Sequence, residues 1–255
     1  MEHPYKEYEN SKTWNAVARL IKDLVDNNDI ELLTPKEYVI GYICKGLSKQ
    51  TTKNKMDKKT FDQLLSKYSH LGKKYIEETG ATMIGHAPHI APDAYLNMAF
   101  EPLSKEEISQ LEGRLHEIIP DPYKDFLMNV SNGATVCCEL FLYGYRRYSD
   151  KDKGIIYVFE PYDLEDINCR DWITKPSPNM FFFGSYDWNG DELYMDRESL
   201  EIVLCSTPDL TPLYKWKSFD DFLQEEVNRL YTMFDENGVQ LDESSSPLPG
   251  NNPIE

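Results

Sequence analysis

The sequence predicts an α+β fold: an antiparallel sheet flanked by helices and preceded by a small all-helical region. Three observations carry this expectation. Apolar residues recur at helical spacing from Trp14 to Tyr75. Strand-like segments then follow one another between Val136 and Trp216, two of them separated by the hairpin dipeptide Asn189-Gly190. Helices with clear capping signals bracket that run.

The first helix carries Trp14, Val17, Ala18, Leu20, Ile21, Leu24 and Val25 on one face, and Asn27-Asn28 stops it. Thr34-Pro35-Lys36-Glu37 starts the second, with a cap residue, a proline at the first helical position and a glutamate able to close the box. After a polar loop, a third helix places Phe61, Leu64, Leu65, Tyr68, Leu71 and Tyr75 on one side, with Gly80 at its end. From Gly80 to Pro102 prolines 88, 92 and 102 interrupt the pattern. Ser104 to Glu107 is another capping box, opening a helix with Ile108, Leu111, Leu115 and Ile118 inward. A short helix from Asp121-Pro122 ends at Asn132-Gly133. The strands expected next are Val136–Tyr143, Ile155–Phe159, Asn179–Tyr186, Glu192–Asp196, Glu201–Cys205 and Leu213–Trp216. Ser218 caps a last helix through Tyr231. This gives a helical region at 1–80, a linker at 81–101, the mixed domain at 102–234 and a disordered acidic tail at 235–255.

Charge divides with the pattern. The 255 residues hold 27 Lys+Arg against 44 Asp+Glu, a net charge of −17. Residues 1–79 carry +2 of this and residues 80–255 carry −19. Such a field repels phosphate, which argues against a nucleic-acid partner. It suits either plain solubility or the steering of a basic protein. No apolar stretch nears the ~18–20 residues of a membrane span. Met1–Tyr8 lacks the pattern of a signal peptide, so the expected location is cytoplasmic. The five cysteines show neither a disulfide framework nor a zinc spacing.

The helix leading to Ile119-Pro120, the segment Tyr123-Lys124-Asp125-Phe126-Leu127 running to Asn132-Gly133, the aromatic Phe181-Phe182-Phe183-Gly184 with Asn189-Gly190-Asp191, and the closing Ser218-Phe219-Asp220-Asp221-Phe222-Leu223 form an ordered set. In that order and spacing residues 102–231 resemble the SUKH superfamily. The resemblance covers fungal cell-wall synthesis regulators and bacterial immunity proteins that neutralise toxins. It implies a binding module with no cofactor and no chemistry of its own. The first 80 residues lie outside the pattern and could be a second binding surface, a dock for the sheet or a dimerisation element.

Other chemistries are poorly supplied. His86 and His89 are two loop histidines, too few for zinc. Asp187, Asn189, Asp191 and Glu198 echo a calcium loop, but Glu192 stands where its glycine is required. Cys137 and Cys138, on an alternating strand, would point to opposite faces with no histidine beside them. Two acidic stretches with interleaved aromatics remain as candidate partner-binding residues: Asp187, Trp188, Asp191, Glu192 and Asp196 in one, Glu160, Asp163 and Asp166 in the other. Both are expected as exposed faces. The resulting expectation is an immunity protein that neutralises a cognate, basic, nuclease-type toxin, without catalytic or metal residues. The alternatives are an intracellular regulator or scaffold and, less favoured, a hydrolase.

Overall fold

In the computed structural model residues 4–9, 11–53, 55–147, 159–207 and 209–250 are described, and the chain divides into two compact units at Lys55/Met56. The first unit is a helical pair. Ser11 accepts the Trp14 N–H at 3.0 Å and starts α1 (Lys12–Asp26). The apolar stripe read from the sequence buries Val17 and Ile21 against Ile40 and Cys44 of α2 (Lys36–Lys53).

The second unit holds a nine-stranded antiparallel sheet in which every strand pairs with its neighbour in sequence. It begins with α3 (Lys58–Leu65), capped by Asp57, whose carboxylate takes the Thr60 N–H at 2.7 Å. The expected continuation to Tyr75 does not form. A 3-10 segment spans Ser66–Leu71, Gly72 turns the chain at φ 126°, and Tyr75 lies in β1 (Lys73–Ile76).

Residues 81–101 are likewise not a linker. They contain β2 (Ala81–His86) and β3 (Tyr95–Ala99), which pair with each other and with their neighbours. Pro88 and Pro92 fall in the β2–β3 connection and Pro102 just beyond β3, so all three prolines punctuate the strands from outside.

The capping box at Ser104 and Glu107 forms as expected and opens α4 (Lys105–Leu115). The helix ends one turn early at His116, in the left-handed region at φ 54°, and Ile118 is 66% exposed rather than inward. Helix α5 (Asp121–Asn129) follows. The expected strand 136–143 is instead a hairpin of β4 (Ala134–Val136) and β5 (Leu140–Leu142). Cys137 and Cys138 are the central residues of the turn closed by Glu139 N–H to Val136 O at 3.0 Å, both left-handed at φ 54° and 58°. Their N–H groups donate to Asn97 Oδ1 at 3.0 Å and Leu96 O at 2.9 Å, which offsets a conformation unfavourable for cysteine.

Of the expected strand 155–159, residues 155–158 lie outside the described residues. Phe159 packs with Ala81, Met83 and Phe100. A short helix not expected from the sequence, α6 (Leu164–Cys169), precedes β6 (Met180–Tyr186). Strands β7 (Glu192–Asp196), β8 (Ile202–Cys205) and β9 (Pro212–Trp216), then α7 (Phe219–Tyr231), complete the unit close to the expected bounds.

The main core lies on one face of the sheet. Phe181 and Phe183 of β6 meet Tyr123 of α5, and Phe183 also meets Phe219 and Phe222 of α7. Gly184 is required there, because an added Cβ would lie 2.4 Å from Phe141 O. Over 235–250 the tail makes contacts with the unit: Leu241 N–H donates to Met233 O at 2.8 Å, Gly238 lies against Leu96, and Pro247 O accepts from Arg229. Its polar composition hides these few anchoring contacts. Residues 251–255 lie outside the described residues.

Candidate interaction face

Strand direction alternates through the sheet, so the connections β2–β3 (87–94), β4–β5 (137–139), β6–β7 (187–191) and β8–β9 (206–211) gather at one end. Together they hold Asp93, Glu139, Asp187, Asp191 and Asp209 and not one Lys or Arg. Hydrogen bonds tie three of these tips, β4–β5, β6–β7 and β8–β9, together. Asp187 N–H donates to Glu139 O at 2.9 Å. Thr207 donates its N–H to Asp191 Oδ1 at 3.3 Å and its hydroxyl to Gly190 O at 3.1 Å. Asp93, Asp187 and Asp209 are exposed, and Trp188 projects from the β6–β7 turn with 46% of its surface open. Burial and the neighbouring Asp187 raise the Glu139 carboxyl above the ordinary glutamate value. The end is acidic, hydrogen-bonded across three of its tips, and carries the exposed Trp188 ring.

The site residues expected from the sequence separate into three groups. Asp187 and Trp188 are exposed as expected. Asp191, Glu192 and Glu160 are not: all three are buried. Asp191 is a brace, taking the Asn189 side-chain N–H at 2.8 Å as well as Thr207. Glu160 accepts the Arg147 backbone N–H at 2.9 Å. The alternation of acids with aromatics gave no sign of these cross-connections, which come from loops distant in sequence. Asp196 is half-buried at the opposite end of β7, paired with Met180, and accepts the N–H groups of Glu198 and Ser199 at 3.0 and 2.8 Å. Those bonds hold its carboxyl below the usual aspartate value. Asp163 is half-buried as the cap of α6, pushed up to about 6 by burial, while Asp166 is exposed. The structure therefore brings Asp187, Trp188, Asp191 and Glu192 together and leaves Asp196 and the 160–166 group apart from them.

Glu192 opens β7 on the sheet face opposite the main core, beside Ser185 and Cys205 in register. Arg170 Nη2 donates to its Oε1 at 2.8 Å. The Arg170 guanidinium lies 3.8 Å from the Trp172 ring centre, and Trp172 stacks on Phe182 at 4.4 Å. Burial drives the Glu192 carboxyl up to about 7, with Arg170 pulling the other way. Tyr143 and Ser185 share a hydrogen bond at 2.7 Å, and Tyr162, 54% exposed, packs on Phe141 and Tyr143. The Trp172 ring that covers Glu192's partner is half-buried, and Tyr194 is buried. Arg170 and Glu139 were missed because their roles depend on sheet topology. An acid in each hairpin tip is the sequence signal that could have found Glu139.

His86 and His89 do not assemble a metal centre, and no group of three or more His, Cys, Asp or Glu positioned for a metal occurs among the described residues. His86 Nε2 instead lies 2.9 Å from Pro92 O. Among the described residues no helix is long and apolar enough to cross a membrane. The chain matches no curated protein and no solved structure. The landmarks that carried the resemblance form the fold's joints: Asn132 bonds both the N–H and the C=O of Tyr145, and Gly133 sits at φ 81° with Leu142 O where a Cβ would be. In agreement with them, residues 102–225, just under half of the chain, match the model of the SMI1 / KNR4 family (SUKH-1).

Proposed function

We propose that the protein is a cytoplasmic immunity protein that binds a cognate, basic, nuclease-type toxin domain and blocks its activity, using the acidic hairpin end of its sheet. It acts by binding alone, without cofactor or catalysis. The observation that carries this reading is the convergence of four connections with five acids, no cation and the exposed Trp188 ring on one end. A nuclease must present a basic cleft to phosphate, and a braced acidic end can occupy that cleft in its place. Trp188 would supply the buried anchor that such interfaces concentrate their energy in. The SUKH-1 match of residues 102–225 fits an immunity or a regulatory role.

The test is purification of the full chain from its native cells with identification of what accompanies it. One stoichiometric toxin domain, inhibited on binding and released by the double variant Asp187→Lys/Trp188→Ala, supports the proposal. Several signalling or wall-synthesis proteins in its place would support the regulator reading that the family match also accommodates.

A further inference from the structure

We infer that the Glu192 carboxylate is a receptor for one arginine or lysine side chain of a protein partner, filled by Arg170 in the free chain. The inference deepens the proposed protein-binding role by naming the partner chemistry. Glu192 is 4% exposed, and only Oε1 has a hydrogen bond, to Arg170; Oε2 is buried with no partner among the described residues. A carboxylate can accept several donors, and leaving one oxygen bare away from water is unfavourable. Its neighbours supply none. The Tyr143 hydroxyl is engaged with Ser185, Cys205 Sγ contacts the Glu192 main-chain carbonyl, and Asp191 is a like charge.

The present occupant is placed to leave. Arg170 ends α6 at the start of an irregular segment in which residues 170, 171 and 173–175 are exposed, and its own side chain is 40% exposed. Its departure leaves Trp172 stacked on Phe182, so the aromatic platform stays in place. An incoming guanidinium would meet the same flat ring and the same carboxylate that Arg170 now uses, which favours arginine over lysine. Glu192 directly follows the cation-free tip 187–191, so a basic partner drawn to the hairpin end arrives beside it.

The probe is N-acetyl-arginine amide, with the uncharged N-acetyl-citrulline amide as control, titrated into the full chain and followed by amide chemical shifts at 191–193. Arg170→Ala should bind the arginine probe at least about tenfold more tightly than the wild type, because the competing occupant is gone. Citrulline should produce no shift, and Glu192→Gln should abolish binding. If Arg170→Ala does not fold, Arg170→Lys serves, with the probe displacing the weaker lysine. Equal response of wild type, Arg170 variant and Glu192→Gln, or equal response to citrulline, overturns the inference. Because the probe needs no protein partner, binding here with no toxin found would sink only the proposed function, and the reverse result only the receptor.

Discussion

The two faces of the sheet are made by the same strands and end with opposite characters. On the covered face, Phe181 and Phe183 of β6 meet rings from α5 and α7, and the one buried acid, Glu226, is fully engaged by Tyr186 and by Arg229. On the other face, Phe182 and Tyr194 share space with Ser185, Tyr143 and Glu192, under a single short helix and an irregular segment. The difference separates a face packed by rings from one that carries polar and charged groups. The covered face is committed to the core; the other keeps an incompletely paired carboxylate and the exposed Tyr162 ring.

The largest contrast should appear in stability. Phe183→Ala should lose about 3–5 kcal/mol, a buried ring removed from a close-packed cluster, whereas Tyr162→Ala on the open face should lose under about 1 kcal/mol. Urea unfolding of the two variants measures this, and equal losses would erase the distinction between the faces.

Next come two acids five residues apart. Glu192→Lys sets a buried cation against Arg170 and should destabilise by about 3 kcal/mol or more. Asp187→Lys, on the exposed turn, should change stability by no more than about 0.5 kcal/mol. The same unfolding experiment separates them. Similar values would mean that Glu192 is not buried as described.

A smaller effect concerns pH. The Glu192 carboxyl is raised from 4.5 to about 7 in the folded chain, so the folded state holds its proton where the unfolded state has lost it. Its stabilising contribution is complete below the unfolded value and is lost as pH rises through about 7. Asp163, raised from 3.8 to about 6, acts in the same direction at lower pH. Unfolding free energies from urea titrations between pH 4 and 8 should therefore fall less steeply in Glu192→Gln, by on the order of 2 kcal/mol across the window after allowance for the exposure of Arg170. Parallel curves would contradict the burial of this group.

Much of this fold was legible before the structure. Ser104 and Glu107 announced α4, and Asn189-Gly190 announced the β6–β7 hairpin, because caps and turns act locally. Strands β2 and β3 were obscured by prolines that flank them, and the β4–β5 turn by two cysteines in an unusual backbone conformation. The candidate site divided along the same line. The exposure of Asp187 and Trp188 follows from a two-strand turn alone. The burial of Asp191 and Glu192 depends on Thr207 and Arg170, brought in from other connections by the sheet's topology. A local sequence window carries no trace of that.

The acidic hairpin end as the partner-binding surface is tested most directly by association kinetics with the copurifying protein, for wild type and for Asp187→Lys/Asp209→Lys, across ionic strength. The on-rate of the wild type should fall by at least about tenfold from low to physiological salt, since exposed charges steer encounter and are screened. The variant should associate more slowly with a shallower salt dependence, and its dissociation should change by less than about twofold, because rim charges act on the encounter. An on-rate indifferent to both salt and charge reversal would contradict the assignment of this end as the binding surface.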